Sequence, residues 1–282
     1  MISLVFPHPD DPYGCLCRLV ISGCFPLLYL GLIYLFDFRG RSRDAPDSIL
    51  RRLAGVSVAC LLSGLLARSL DHSITLADLG LRLPGLLPGL MLPLLLTGIL
   101  FAGPICGSVL DESIRLYLEP VYWRTSLRNL IWLRNRVFAP VSEEFVFRSC
   151  TVAVLEACLS GVQLTLLAPL WFSLAHYHHM YECIHYWGES FWEAFLTCSF
   201  QAFYTYLFGV YATYLYQRCR HVIAVILVHA FCNHMGFPSF EDLIQYKDWR
   251  RYLLGFVYVL GLLFWLLLLP VLTDSSLYSL PL

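Results

Sequence analysis

The chain has 282 residues, of which 58% are hydrophobic and only 14% charged, and its mean hydropathy is +0.66. Soluble domains carry roughly 25% charged residues, so this composition argues against an ordinary soluble protein and indicates an integral membrane protein. The net charge of -1 gives no reason to expect a nucleic-acid partner. The 11 cysteines are scattered, and we expect them to be small packing residues rather than a disulfide framework or a zinc site.

Eight apolar segments follow one another along the chain. A helix needs about 20 mainly apolar residues to cross a bilayer, and half of the segments meet this clearly. The clear segments are 15–36, 53–70, 87–106 and 252–272, and the more polar ones are 129–158, 162–177, 191–216 and 222–237. The polar set contains the ionisable residues considered below. We therefore expect an all-α polytopic membrane protein whose helices enclose an intramembrane cavity open to the cytosol.

The distribution of arginine predicts the orientation. The loop 37–52 contains five arginines, which places it in the cytosol by the positive-inside rule. Loops 107–128 and 238–251 then fall on the same side, and both termini face the other side. Arg218 and Arg220 are a mild exception. With no repeat or linker in the sequence, residues 1–282 are expected to form a single membrane domain.

Prolines interrupt the third segment. They stand at positions 84, 88, 93 and 104. Because proline lacks a backbone N–H and kinks a helix, we expect irregular helices there.

Glu143, Glu144 and Arg148 lie inside the apolar stretch 129–158. Charged groups at membrane depth cost about 2.5–3.5 kcal/mol each on insertion scales, so they indicate function. Glu144 and Arg148 are four residues apart and share a helical face, which predicts an ion pair. Glu143 points about 100° away from Glu144 and is the candidate general base.

Histidines follow in two later segments. His176 ends an apolar run and is expected at the cytosolic edge of its helix. His229 and Asn233 are four residues apart, so their N–H groups can converge on one oxygen, as an oxyanion hole requires. His178, His179, Glu182 and His185 have spacings compatible with a metal site, but a polar cytosolic loop is the favoured interpretation.

The order Glu-Glu-x-x-x-Arg, Phe-x-x-x-His, His-x-x-x-Asn resembles the CPBP family of intramembrane proteases, and most closely the type II CAAX prenyl endopeptidases. Flanking residues add to the likeness: Ala-Pro-Val-Ser-Glu-Glu-Phe-Val-Phe-Arg at 139–148, His-Tyr-His-His at 176–179 and His-Ala-Phe-Cys-Asn-His-Met-Gly-Phe-Pro at 229–238. The resemblance covers roughly residues 75–240.

The resemblance implies a glutamate protease of the endoplasmic reticulum membrane with no cofactor and no metal. It would remove the last three residues of isoprenylated CAAX proteins, such as Ras-like small GTPases. Glu143 with His176 would activate water, and Arg148 would hold Glu144 in place. His229 and Asn233 would stabilise the oxyanion.

Two alternatives remain open at this point. Glu143, His176 and His229 form a ligand set found in zinc proteases. Intramembrane glutamate, histidine and arginine also occur in proton-coupled carriers, so a non-catalytic scaffold or carrier is the other alternative.

Overall fold

The computed structural model describes residues 12–38, 42–238 and 241–280, and every regular element in these ranges is a helix. The α-helices of the first half are Pro12–Ser22 (α1), Cys24–Phe36 (α2), Pro46–Leu70 (α3), Leu86–Leu100 (α4), Ala102–Leu110 (α5), Pro120–Ser126 (α6) and Leu130–Leu133 (α7). Those of the second half are Ala139–Glu144 (α8), Thr151–Leu155 (α9), Gly161–Ala175 (α10), His179–His185 (α11), Phe191–Cys219 (α12), Val222–Met235 (α13), Glu241–Gln245 (α14) and Trp249–Leu272 (α15). Short 3₁₀ segments are Ser113–Leu118, His176–His178 and Ser275–Tyr278, and π segments are Arg134–Phe138 and Phe145–Cys150.

The fold class expected from the sequence is confirmed. Three helical stretches, Gly14–Phe36, Pro46–Leu70 and Trp249–Leu272, are long and apolar enough to cross a membrane. The pair α4 and α5 makes a fourth candidate, bent by 68°. All eight segments expected from hydropathy fall on helices, whereas the number that cross the bilayer stays a prediction.

The chain divides into two compact units, and the expectation of a single domain stays a prediction. Unit 1 comprises residues 1–81 and 141–222. Its core is built from α2, α3, the π segment Phe145–Cys150, α9 and α10, around Phe25, Ala59, Val146 and Phe172. In lipid, helices associate through close packing rather than through burial of apolar surface from water. Gly55 permits this approach, because a Cβ there would lie 2.7 Å from the carbonyl oxygen of Leu32.

Unit 2 comprises residues 82–140 and 223–282. Here α15 packs on α4 and α5, and a Cβ on Gly261 would lie 2.7 Å from the carbonyl oxygen of Ile99. The bend between α4 and α5 occurs at Phe101, three residues before Pro104. Since Pro104 has no N–H for the Leu100 carbonyl, the helix cannot continue straight, which confirms the expected irregularity.

Two π turns interrupt the helical run that carries the paired glutamates. They flank α8, and the second begins directly after Glu144. The backbone N–H of Thr151 donates to the carbonyl of Val146, five residues earlier, which is the hydrogen-bond register of a π turn. The hydroxyl of Thr151 donates to the same carbonyl at 3.0 Å. Such turns are frequent at functional sites.

Candidate active site

The expected ion pair between Glu144 and Arg148 is present in unit 1. Arg148 Nη1 lies 3.1 Å from Glu144 Oε1, and the two side chains are 1% and 0% exposed, respectively. A charge this deeply buried is tolerated only when it is paired, so each side chain fixes the other. Removing one partner of such a pair typically costs 3–5 kcal/mol.

Aromatic rings complete the enclosure of Arg148. Its guanidinium lies 4.2 Å from the ring centre of Phe172 and 5.4 Å from that of Phe208. The attraction between a cation and a ring face strengthens when both are shielded from water. Gly209 leaves room for this arrangement, because a Cβ there would lie 3.3 Å from Arg148 Nη2 and 2.7 Å from Pro169 Cβ.

Glu143 differs from its neighbour in exposure. Its side chain is half-buried, whereas Glu144 is buried. The preceding residue, Ser142, is held through its hydroxyl by Tyr29 at 2.8 Å, and Tyr29 packs edge-on against Phe147 with ring centres 5.6 Å apart. Tyr29 therefore anchors the helical turn from which Glu143 projects.

His176 caps the end of α10, as the sequence predicted. Its Nδ1 lies 2.8 Å from the carbonyl oxygen of Phe172, and a carbonyl can only accept a hydrogen bond. In the neutral ring Nδ1 therefore carries the proton, and Nε2 carries the lone pair that a general base needs. The ring also packs against Phe172 at 4.7 Å. A chain of contacts thus joins Glu144, Arg148, Phe172 and His176.

Glu182 is buried rather than part of a solvated loop, so the loop interpretation was wrong for this residue. Its carboxylate accepts from Arg43 Nη1 at 2.9 Å and from Arg52 Nη1 at 3.2 Å. Burial raises the pKa of the Glu182 carboxyl, but contacts with His179 and Arg43 outweigh burial and hold that pKa well below its usual range. No local sequence pattern signals the two arginine contacts, because Arg43 and Arg52 lie 139 and 130 residues away from Glu182.

The contacts of Glu182 bear on the alternative of a metal site formed by His178, His179, Glu182 and His185. Across the described ranges, no three histidine, cysteine, aspartate or glutamate side chains are grouped so that they could hold a metal ion. Glu182 instead ties α11 to Arg43 and to Arg52 on α3. His179 stands between this network and His176, with ring centres 5.9 Å apart.

His229 and Asn233 lie in unit 2, on α13. They share a helical face, as their spacing predicted, but His229 is 5% exposed and Asn233 is exposed. Asn233 Nδ2 donates to the backbone carbonyl of Asn135 at 2.9 Å. The next residue, His234, accepts a hydrogen bond from Arg136 Nε at 3.3 Å. The oxyanion role of the pair stays a prediction.

Comparison with known proteins agrees with these motifs. The family described as Type II CAAX prenyl endopeptidase Rce1-like matches residues 125–235, a range that contains all six candidate residues. CAAX prenyl protease 2 of Homo sapiens is 38% identical over 95% of this chain and 86% of its own length. The chain belongs to the type II CAAX prenyl endopeptidase family.

Other relatives extend the similarity. CAAX prenyl protease 2 of Rattus norvegicus is 35% identical over 95% of this chain and 85% of its own length. The protein of the same name from Caenorhabditis elegans is 29% identical over 82% of this chain and 88% of its own. No solved structure matches the chain significantly. These family members are peptidases by name, and the similarity extends well beyond the motifs into the N-terminal quarter of the chain.

Proposed function

We propose that this protein is an intramembrane endopeptidase that removes the C-terminal tripeptide from isoprenylated CAAX proteins. The main support is the similarity to relatives named CAAX prenyl protease 2, which extends over 95% of this chain. The buried, ring-enclosed Glu144–Arg148 pair beside a half-buried glutamate adds physical support, because an expensive charge cluster inside a membrane protein indicates a reaction centre.

In this proposal Glu143 and His176 together take up the proton of a water molecule as its oxygen attacks the carbonyl of the prenylated cysteine. The C–N bond then breaks, and the proton passes to the departing amine of the tripeptide. Glu144 acts as a positioning residue, since Arg148 already holds it. The lone pair on His176 Nε2 and the partial burial of Glu143 both favour this assignment.

His229 and Asn233 would stabilise the negative charge on the attacked carbonyl oxygen. Removal of one such donor usually lowers turnover by about 10²–10³-fold. Asn233 has two amide hydrogens, and the bond to the Asn135 carbonyl uses one. The second remains for an oxyanion, so the observed bond and the proposed role are compatible.

We further propose that the protein lies in the endoplasmic reticulum membrane with its site open to the cytosol. The arginines of loop 37–52 support this orientation. Cys15 and Cys158 are disulfide-bonded, which corrects the expectation of unpaired packing cysteines for this pair. Both fall on the lumenal side of the proposed topology, and the lumen is the oxidising compartment. Arg220, which the positive-inside rule would not place on this side, pairs with Glu156 at 2.6 Å. Because its charge is compensated, it argues less strongly against the proposed orientation.

The decisive experiment measures release of the tripeptide from a farnesylated CAAX peptide by the reconstituted full-length protein. An unprenylated twin of the peptide serves as the substrate control. Glu143→Ala should nearly abolish release, whereas Glu112→Ala, which removes an exposed surface carboxylate, should leave it unchanged. Equal cleavage of both peptides, or near-normal activity of Glu143→Ala, would contradict the proposal.

A chelator separates the zinc alternative from the glutamate mechanism. The reconstituted protein should keep its activity after treatment with a strong chelator. Complete loss that zinc restores would assign Glu143, His176 and His229 to a metal instead. Intact binding of the farnesylated peptide without any release would favour the scaffold or carrier.

A further inference from the structure

The segment 113–129 in unit 2 combines apolar and basic side chains at the protein surface. Leu118, Val121 and Leu127 are 80%, 71% and 56% exposed. Trp123 is also exposed, and its Nε1 donates to the carbonyl of Tyr117 at 2.9 Å, which joins the 3₁₀ segment Ser113–Leu118 to α6. Exposed apolar residues beside tryptophan and arginine are typical of a segment that lies in the membrane interface.

Two basic residues of this segment border an open cleft of about 560 Å³, which is lined by Arg124, Thr125, Arg128 and Asn129. Neither guanidinium has an ion pair or a side-chain hydrogen bond within the described residues. In contrast, Arg115 in the same segment is paired with Glu112 at 2.9 Å. The two arginines at the cleft are therefore uncompensated cations.

The remaining cleft residues also supply donors. The side-chain oxygen of Asn129 already accepts from the backbone N–H groups of Ile131 and Trp132, at 2.9 and 3.2 Å. Its amide nitrogen is thus the group left for a ligand, and Thr125 adds a hydroxyl. Among the described residues, no carboxylate lines the cleft. Two guanidinium groups, an amide and a hydroxyl suit a phosphate group, which accepts hydrogen bonds and binds arginine in bidentate fashion.

We propose that the cleft binds the phosphate of an anionic membrane phospholipid. The exposed leucines and valine beside it favour a ligand that also has acyl chains, which a soluble phosphate lacks. The positive-inside argument puts this segment on the cytosolic face, where anionic lipids are concentrated and attract juxtamembrane arginines. The inference does not depend on the proteolytic activity, because it concerns residues outside the proposed reaction centre.

The test uses the full-length protein reconstituted into phosphatidylcholine vesicles with and without phosphatidylserine. Native mass spectrometry counts the phosphatidylserine molecules that stay bound after extraction. The double variant Arg124→Gln/Arg128→Gln should bind about 30-fold less phosphatidylserine, given roughly 1 kcal/mol per arginine. Arg115→Gln is the matched control, and it should bind as the wild type does.

Three results would overturn the proposal. The first is equal retention by the double variant and the wild type. The second is an equal loss in Arg115→Gln, which would indicate general surface charge rather than a site. The third is displacement of the lipid by inorganic phosphate at the same concentration, which would indicate a soluble anion as the ligand. If the double variant does not fold, the wild type is crosslinked to photoactivatable phosphatidylserine instead. Labelling within residues 118–129 is expected, and labelling only at other residues would contradict the proposal.

Discussion

The side-chain amide of Asn233 donates a hydrogen bond to the carbonyl oxygen that Pro140 leaves without its backbone partner. That carbonyl belongs to Asn135, and the bond measures 2.9 Å. In the π turn that contains Asn135, the N–H of Ala139 bonds to the carbonyl of Arg134. The next bond in this register needs an N–H on residue 140, which proline lacks. Asn233 therefore has a structural role that can be separated from its proposed catalytic one.

A double-mutant cycle makes that separation. Asn233→Ala should lower kcat/KM by about 10²–10³-fold and lower the stability by about 1 kcal/mol. Pro140→Ala supplies a backbone N–H for the Asn135 carbonyl, so adding it should restore the melting temperature of Asn233→Ala but not its activity. Peptide cleavage and thermal unfolding in detergent measure the two effects. Recovery of activity together with stability would remove the oxyanion role from Asn233.

Gly209 is expected to be intolerant of even a methyl group. An added Cβ would lie 2.7 Å from Pro169 and 3.3 Å from the Arg148 guanidinium, so Gly209→Ala should force α10 and α12 apart and displace Arg148. Overpacking of this kind costs about 1–3 kcal/mol, and cleavage should fall with it. Gly31→Ala is the control, because its Cβ would meet nothing within 4 Å and alanine is the better helix former. A similar effect of both substitutions on the melting temperature would contradict the packing argument.

Acidification should destabilise the protein partly through His178. Burial lowers the pKa of His178 to about 3, and the neighbouring His179 acts in the same direction, whereas an unfolded histidine titrates near 6.5. The unfolded state therefore binds more protons between these values. The stabilising contribution of neutral His178 is complete above about pH 6.5 and is lost progressively as the pH falls toward 3.

Thermal unfolding at about pH 7 and about pH 5 tests this contribution, which amounts to at most about 1–2 kcal/mol over that range. Glu182 contributes little there, because its lowered pKa and its unfolded pKa both lie below the range. His178→Gln should lose less stability on acidification than the wild type. His185→Gln is a matched control. The Nδ1 atoms of His178 and His185 each bond to a backbone carbonyl, at 2.7 and 3.0 Å, but His185 is exposed. An unchanged acid sensitivity in His178→Gln would refute the assignment.

The bond between Cys15 and Cys158 should stabilise unit 1 and report its orientation. Cys15→Ser should lower the free energy of unfolding by about 2–4 kcal/mol, while Cys24→Ser, at an exposed unpaired cysteine, should have little effect. In sealed microsomes a membrane-impermeant reductant should leave the bond intact, as judged by maleimide labelling. Reduction without opening the vesicles would place these cysteines in the cytosol and reverse the proposed topology.

Much of this protein follows from local sequence patterns. Hydropathy over about 20 residues locates the helices, since a helix that crosses lipid must satisfy its backbone hydrogen bonds internally. The pairing of Glu144 with Arg148 follows from a four-residue spacing, and the end of α10 at His176 follows from the end of an apolar run. These features depend only on neighbours within one helix, so spacing and composition reveal them.

The tertiary structure decided the contacts between residues that are distant in the sequence. Rings from α10 and α12 enclose Arg148, two arginines near the start of α3 bury Glu182, and Cys15 meets Cys158 across 143 residues. The charge, size or chemistry of each partner is visible in the sequence, but the pairing depends on which helices pack together. The sequence by itself therefore determined which residues carry the chemistry and which helices hold them. Only the packing decided what surrounds Arg148, Glu182 and Asn233, because a polar side chain takes whichever partner the neighbouring helix brings within reach.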